Sequence, residues 1–319
     1  MERLDSKYIH RNFQIKHRTS CPLFNVVIKF NVTTLVRMAK TRKANRKHSA
    51  LNPGPYQCHP KVGATRPKEG CLPQELLQKA AAELGVLPQR AAIEKAVNVK
   101  PKNEWSFLHA LPLSDEEKSA SAKAYLRPMQ PESWKGDPDM WLDSQNIEQV
   151  MKQYEEAFQD FEFMGPYPID FAAPDPYTKQ SGKCLNDEVC QLKVLEAMDN
   201  GTKTNRIGIV YNLDPHFKSG SHWVAVYIDV LKHHCYYFDS YGMYPPKQIA
   251  KFMKWLTTQD AAMKLHYNGR RFQHRNTECG MYSLYFIIRM LAGDGFRSFT
   301  RQSPPDAEML KLRHWIFST

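Results

Sequence analysis

Four residues in the C-terminal half of this 319-residue chain have the types and spacing of a thiol nucleophile with its supporting groups: His222, Asp239, Gln273 and Cys279. Cys279 begins the apolar run CGMYSLYFIIRML, which reads as a helix; at its N-terminus the macrodipole and the free backbone N–H groups favour a thiolate. Gly280 follows directly and allows close approach of chain or substrate. His222 opens the strand-like run HWVAVYIDV, and Asp239 ends the next one, HCYYFDS. In adjacent antiparallel strands the start of one faces the end of the next, so imidazole and carboxylate can meet there. Gln273 lies six residues before Cys279, and its amide can donate to a developing oxyanion together with the Cys279 backbone N–H. The chemistry of such a set is attack on an acyl carbon with a histidine moving the proton.

Rival residues are weaker. His216 follows Asp-Pro in a loop-like stretch, whereas His222 precedes Trp at a strand start. Asp229 shares a strand with His222, and seven steps of strand rise separate them by about 23 Å. Cys21, Cys58, Cys71, Cys184, Cys190 and Cys235 read as small core hydrophobes. Seven scattered cysteines predict no disulfide framework and point to a reducing compartment. Their spacing matches no zinc site, and neither a metal nor a cofactor is expected.

Positioning these groups requires a mixed fold. Three β-branched and aromatic runs, IGIVYNL, HWVAVYIDV and HCYYFDS, predict neighbouring strands; PPKQIAKFMKWLTTQ predicts a helix and RRFQH a short strand. The run from Cys279 to Leu291 is apolar around most of its circumference, as expected for a helix at the centre of a core. Upstream, residues 71–100 carry two short helical patterns broken around Gly85–Pro88, and Ser114 caps a third helix entered by acidic residues. WLDSQNIEQVMKQYEEAF puts Leu142, Ile147, Val150, Met151 and Tyr154 on one face, with Asp143 or Ser144 as cap. A Pro-rich stretch from Arg127 to Met140 marks a boundary. The reading is α+β: a basic tail over 1–70, a helical arm over 71–135 and a catalytic unit over 136–319.

The formal charge of +11 belongs to the tail alone. Residues 1–70 hold 15 Lys/Arg against 3 Asp/Glu, while 71–319 hold 29 against 30. The tail suits non-specific DNA contact or localisation, or serves only as a solubilising arm. Met38, where the composition changes, offers a second start, so that residues 1–37 need not be translated. The longest apolar stretch is too short and too interrupted to span a bilayer, and neither a signal peptide nor a membrane partner is expected.

SGSHWVAVYIDV, YYFDS and FQHRNTECGMY together resemble the adenain-like and ubiquitin-like-protease group of cysteine proteases, whose pattern is His-Trp, a downstream Asp or Asn, then Gln six residues before Cys-Gly. WLDSQNIE from Trp141 is similar to a second signature, a Trp-Leu helix start. TECGMYSLYFIIRML and the C-terminal DAEMLKLRHWIF are most similar to maturation proteases of large DNA viruses. The resemblance covers roughly Trp141 to Thr319. It implies a papain-like core with Cys279 as nucleophile, His222 as base, Asp239 as its orienter and Gln273 as oxyanion donor. It also implies that Trp141 and Trp223, with Gly280, shape a channel for a Gly-Gly backbone, although Trp141 also suits a helix-entry staple. The implied function is a viral endopeptidase cutting virion precursors after Gly-Gly, at the cytoplasmic assembly site and in the virion. Removal of a ubiquitin-like modifier is the alternative; acyl transfer and a scaffold role without catalysis rank lower.

Overall fold

The computed structural model describes residues 35–38, 57–62, 70–100, 103–176, 182–194 and 204–318. Its centre is a mixed sheet of β1 (Leu35–Met38), β2 (Phe161–Pro168), β3 (Arg206–Asn212), β4 (Trp223–Asp229), β5 (His234–Phe238) and β6 (Lys264–Asn268), in the order β1-β6-β5-β4-β3-β2. β3, β4 and β5 form an antiparallel meander, and the pairs β2/β3, β5/β6 and β1/β6 are parallel. All of β4 is buried, which explains why its sequence is apolar without alternation.

The two faces of the sheet are covered differently. On one, α5 (Ser144–Ala157), α8 (Cys279–Leu291) and α10 (Asp306–Ile316) build a core containing Trp223, Phe238, Phe286 and Met309. On the other, α6 (Asp187–Cys190) and α7 (Lys247–Gln259) pack Val189, Phe252 and Leu256 onto Ile209, Val226 and Tyr237. The short α9 (Phe296–Phe299) adds Phe296 and Phe299 to the first core. α8 exposes almost nothing, as its all-round apolar pattern predicts.

The arm has its own small core, made by α1 (Gln74–Leu84), α2 (Arg90–Ala96), α3 (Glu104–Ala110) and α4 (Asp115–Tyr125). Ser114 and Glu117 form a reciprocal capping box at α4, and Asp143 with Asn146 forms one at α5. Residues 57–62 lie against the arm: the His59 N–H donates to the Tyr125 carbonyl at 2.8 Å, and the Arg127 N–H to the Gln57 carbonyl at 2.9 Å. Lys61 reaches Glu156 on α5 at 3.1 Å, tying this segment to the sheet-bearing unit as well. Leu35–Met38, within the segment read as a tail, is the edge strand β1 paired with β6, and residues 1–34, 39–56 and 63–69, with Cys21, lie outside the described residues.

Two expectations are corrected. Cys58–Cys71 and Cys184–Cys190 are disulfides, with Cα atoms 5.1 and 6.5 Å apart. Sequence spacing alone could not reveal them, because the first pair depends on residues 57–62 folding back onto the arm. The strand placed at RRFQH is instead Lys264–Asn268, and the N–H groups of Phe272 and Gln273 both go to the Ser240 carbonyl. Among the described residues, no helix is long and apolar enough to cross a membrane.

The C-terminal helix locks the surroundings of Cys279. Arg313, fully buried, pairs with Glu278 at 2.9 Å, donates to the Met140 carbonyl at 2.7 Å and lies over the Trp134 ring. Burial raises the Glu278 carboxyl above its ordinary range, and the guanidinium opposes that rise. Arg313→Met is expected to cost about 3–5 kcal/mol in denaturant-monitored stability, because it strands a buried carboxylate.

Candidate active site

The antiparallel register of β4 and β5 pairs Ala225 with Phe238. Continued outward, it sets the residues just before β4 beside those just after β5, and His222 and Asp239 occupy those places. His222 Nε2 lies 2.7 Å from Asp239 Oδ1, leaving Nδ1 for the hydrogen bond with Cys279. The Asp239 carboxylate is 2% exposed. It is stabilised by the N–H groups of Tyr241 at 2.9 Å and Met243 at 3.3 Å as well as by the imidazole. Burial acts to lower the His222 pKa, but the hydrogen bonds and charges of Asp239 and Cys279 outweigh it and raise the imidazole to about 9. Tyr241 stacks on the outer face of His222, with ring centroids 4.7 Å apart.

Cys279 is the first residue of α8 and is 2% exposed. Gln273 is fully buried, and its Oε1 accepts a 2.7 Å bond from the Ser240 hydroxyl. That bond fixes the amide so that Nε2 has no partner, the state expected of a donor awaiting an oxyanion. Asn268, at the end of β6, accepts from the Asp239 N–H at 2.9 Å and donates to the carbonyls of Asp239 and Arg270 at 2.7 and 3.0 Å. One amide thus couples the acid-bearing turn to the loop that carries Gln273. The turn also needs Gly242: its φ is +73°, and a Cβ there would come within 2.6 Å of the Arg270 backbone.

Trp141 and Trp223 line one cleft of about 390 Å³. Trp141 is 44% exposed, whereas Trp223 is buried and donates from Nε1 to the Leu142 carbonyl at 2.8 Å. Leu142 in turn fills the space beside Gly280, where a Cβ would meet its side chain at 2.8 Å. Of the two reasons for a glycine at 280, close approach of the chain is therefore the one seen. His216, the rival histidine, binds Asp170 at 2.7 Å, and Asp229 pairs with Lys232. Neither belongs to the Cys279 cluster. Ser240, Asn268 and Tyr241 carry no mark in the sequence that sets them apart. Ser and Asn at strand ends are common, and only the folded turn gives them partners. Among the described residues, no group of three or more His, Cys, Asp or Glu side chains is placed to hold a metal ion.

Two consequences can be measured. The His222 pKa is raised, so the imidazolium persists above pH 6.5 and is lost as pH passes about 9. The alkaline limb of kcat/KM on an acyl substrate should fall near pH 9, and in Asp239→Asn it should move to lower pH, since that variant removes a raising interaction. Gln273→Ala should lower kcat by on the order of 10²-fold with little change in KM, as loss of an oxyanion donor does.

A protein of Acanthamoeba polyphaga mimivirus, named as a thiol protease, is 34% identical over 187 residues, 56% of each chain. A SUMO-1 cysteine protease of African swine fever virus is 31% identical over 137 residues, 40% of this chain and 49% of that one. The matched segments thus span about half the length of these relatives. The crystal structure of a protease of African swine fever virus is similar in fold, with a TM-score of 0.56 at 20% identity, covering 85% of this chain and 97% of that one. Residues 211–315, which hold His222, Asp239, Gln273 and Cys279, match the C-terminal catalytic domain of the Ulp1 protease family, and the chain carries a domain of that family.

Proposed function

We propose that this chain is a cysteine endopeptidase that cleaves protein substrates after Gly-Gly. The observation that carries the reading is a single imidazole bonded to a buried carboxylate on one side and to the Cys279 thiol on the other, beside a buried amide N–H without a partner. The Cys279 thiolate attacks the scissile carbonyl, and the oxyanion is received by Gln273 Nε2 and the Cys279 N–H. The His222 imidazolium protonates the departing amine. The resulting thioester is then opened by water, whose proton His222 takes.

Access to the thiol supports the Gly-Gly preference. A nucleophile 2% exposed, with Trp141 and Trp223 lining the neighbouring cleft, favours a segment whose last two residues have no side chains. The similarity to viral proteases supports virion precursors as the proteins that supply it, and the basic tail suits retention on DNA in such a compartment. The name of the African swine fever virus relative keeps modifier removal in view as the second reading.

A panel containing Gly-Gly-X peptides, an otherwise equal Ala-Ala-X peptide and a SUMO conjugate separates these. Efficient cleavage of Gly-Gly-X only, abolished in Cys279→Ala, is the expected result. Cleavage of the conjugate without the peptides would replace endopeptidase activity by deconjugation, and processing that survives Cys279→Ala would end the enzymatic reading.

A further inference from the structure

The loop between β6 and α8, from Gly269 to Thr277, carries Arg270, Arg271, His274 and Arg275 and no acidic residue. The three arginine side chains and His274 are all exposed, and among the described residues none of them forms an ion pair with a carboxylate. The nearby acids are already committed. Asp306 accepts from the His274 and Arg275 N–H groups and the Tyr282 hydroxyl, and Glu278 is paired with Arg313. Arg270 donates to the carbonyl of Arg301, which adds a further exposed cation to the same edge.

Within this lip Arg271 has a defined place. Its Nε donates to the Gln273 carbonyl at 2.7 Å, and its guanidinium lies 5.1 Å from the centre of the Tyr241 ring, which itself stacks on His222. A general acid must touch the nitrogen it protonates, so the leaving segment of a substrate passes over His222. Tyr241 stacks on His222 and Arg271 lies over Tyr241, and neither of them lines the Trp141–Trp223 cleft that would hold the acyl segment. We infer that the Arg270–Arg275 lip selects substrates with acidic residues shortly after the scissile bond. The inference rests on the endopeptidase reading and adds the chemistry of the leaving segment to it. A nucleic acid strand is the other polyanion such a lip could attract, but the lip sits where the leaving peptide must pass.

The test compares Gly-Gly-Ala peptides that carry Asp-Glu, Ala-Ala or Lys-Lys immediately after the Ala, using the full-length chain at low and high salt. The acidic peptide should have a kcat/KM about 5-fold above the neutral one, the factor expected of two exposed charge pairs, and the advantage should shrink with salt. Arg270→Glu/Arg271→Glu should invert the order so that the Lys-Lys peptide becomes best, a reversal that structural damage alone would not produce. Equal rates for the three peptides would overturn the lip while leaving the endopeptidase reading intact, and no cleavage of any of them would overturn both. Equal rates with loss of DNA retention in the charge-reversed variant would assign the lip to nucleic acid instead.

Discussion

A carboxylate placed in an almost dry corner must be compensated from every side, and Asp239 is such a group. Its partners are one imidazole and two backbone N–H groups of a tight turn. The turn needs a left-handed glycine, and Asn268 fastens it to the next loop. Ser240, the next residue, holds Gln273 through both its hydroxyl and its carbonyl. The requirement to stabilise one buried charge therefore also positions His222 and Gln273. Neither could be moved without leaving a polar group unpaired, which costs about 1–3 kcal/mol each.

Cys279 is fixed by a second set of contacts. Gly280 admits Leu142, the Leu142 carbonyl receives Trp223, and Arg313 joins Glu278 to the carbonyl of Met140, next to the segment that bears Trp141. The cleft wall and the N-terminus of α8 are thus one mechanical unit. A change at the C-terminal helix would be felt at the thiol although it touches neither substrate nor sulfur.

Much of this was legible in the chain itself. The antiparallel meander, the buried helix and the four chemical residues follow from short-range patterns: apolar runs, turn residues and a fixed Gln-to-Cys step. Ser114 was readable as a cap, and Asp143 as one of two adjacent candidates with Ser144, because a cap needs only its own first turn. The disulfides were not, since Cys58 meets Cys71 only once residues 57–62 pack beside the arm. RRFQH resembles a strand by composition, yet its backbone is claimed by Ser240 and its Phe272 and Gln273 are buried as loop residues. Gly280 reads as room for either chain or substrate, and only the folded chain shows the Leu142 side chain occupying that room.

The imidazole reports on all of these contacts at once. A ¹⁵N NMR titration of His222 in the full chain follows its proton without any substrate. The ring should titrate near pH 9, and its pKa should fall in both Asp239→Asn and Cys279→Ala, because each removes one of the groups that raise it. A ring that titrates near 6.5 and ignores both substitutions would show that His222, Asp239 and Cys279 do not form one charged unit.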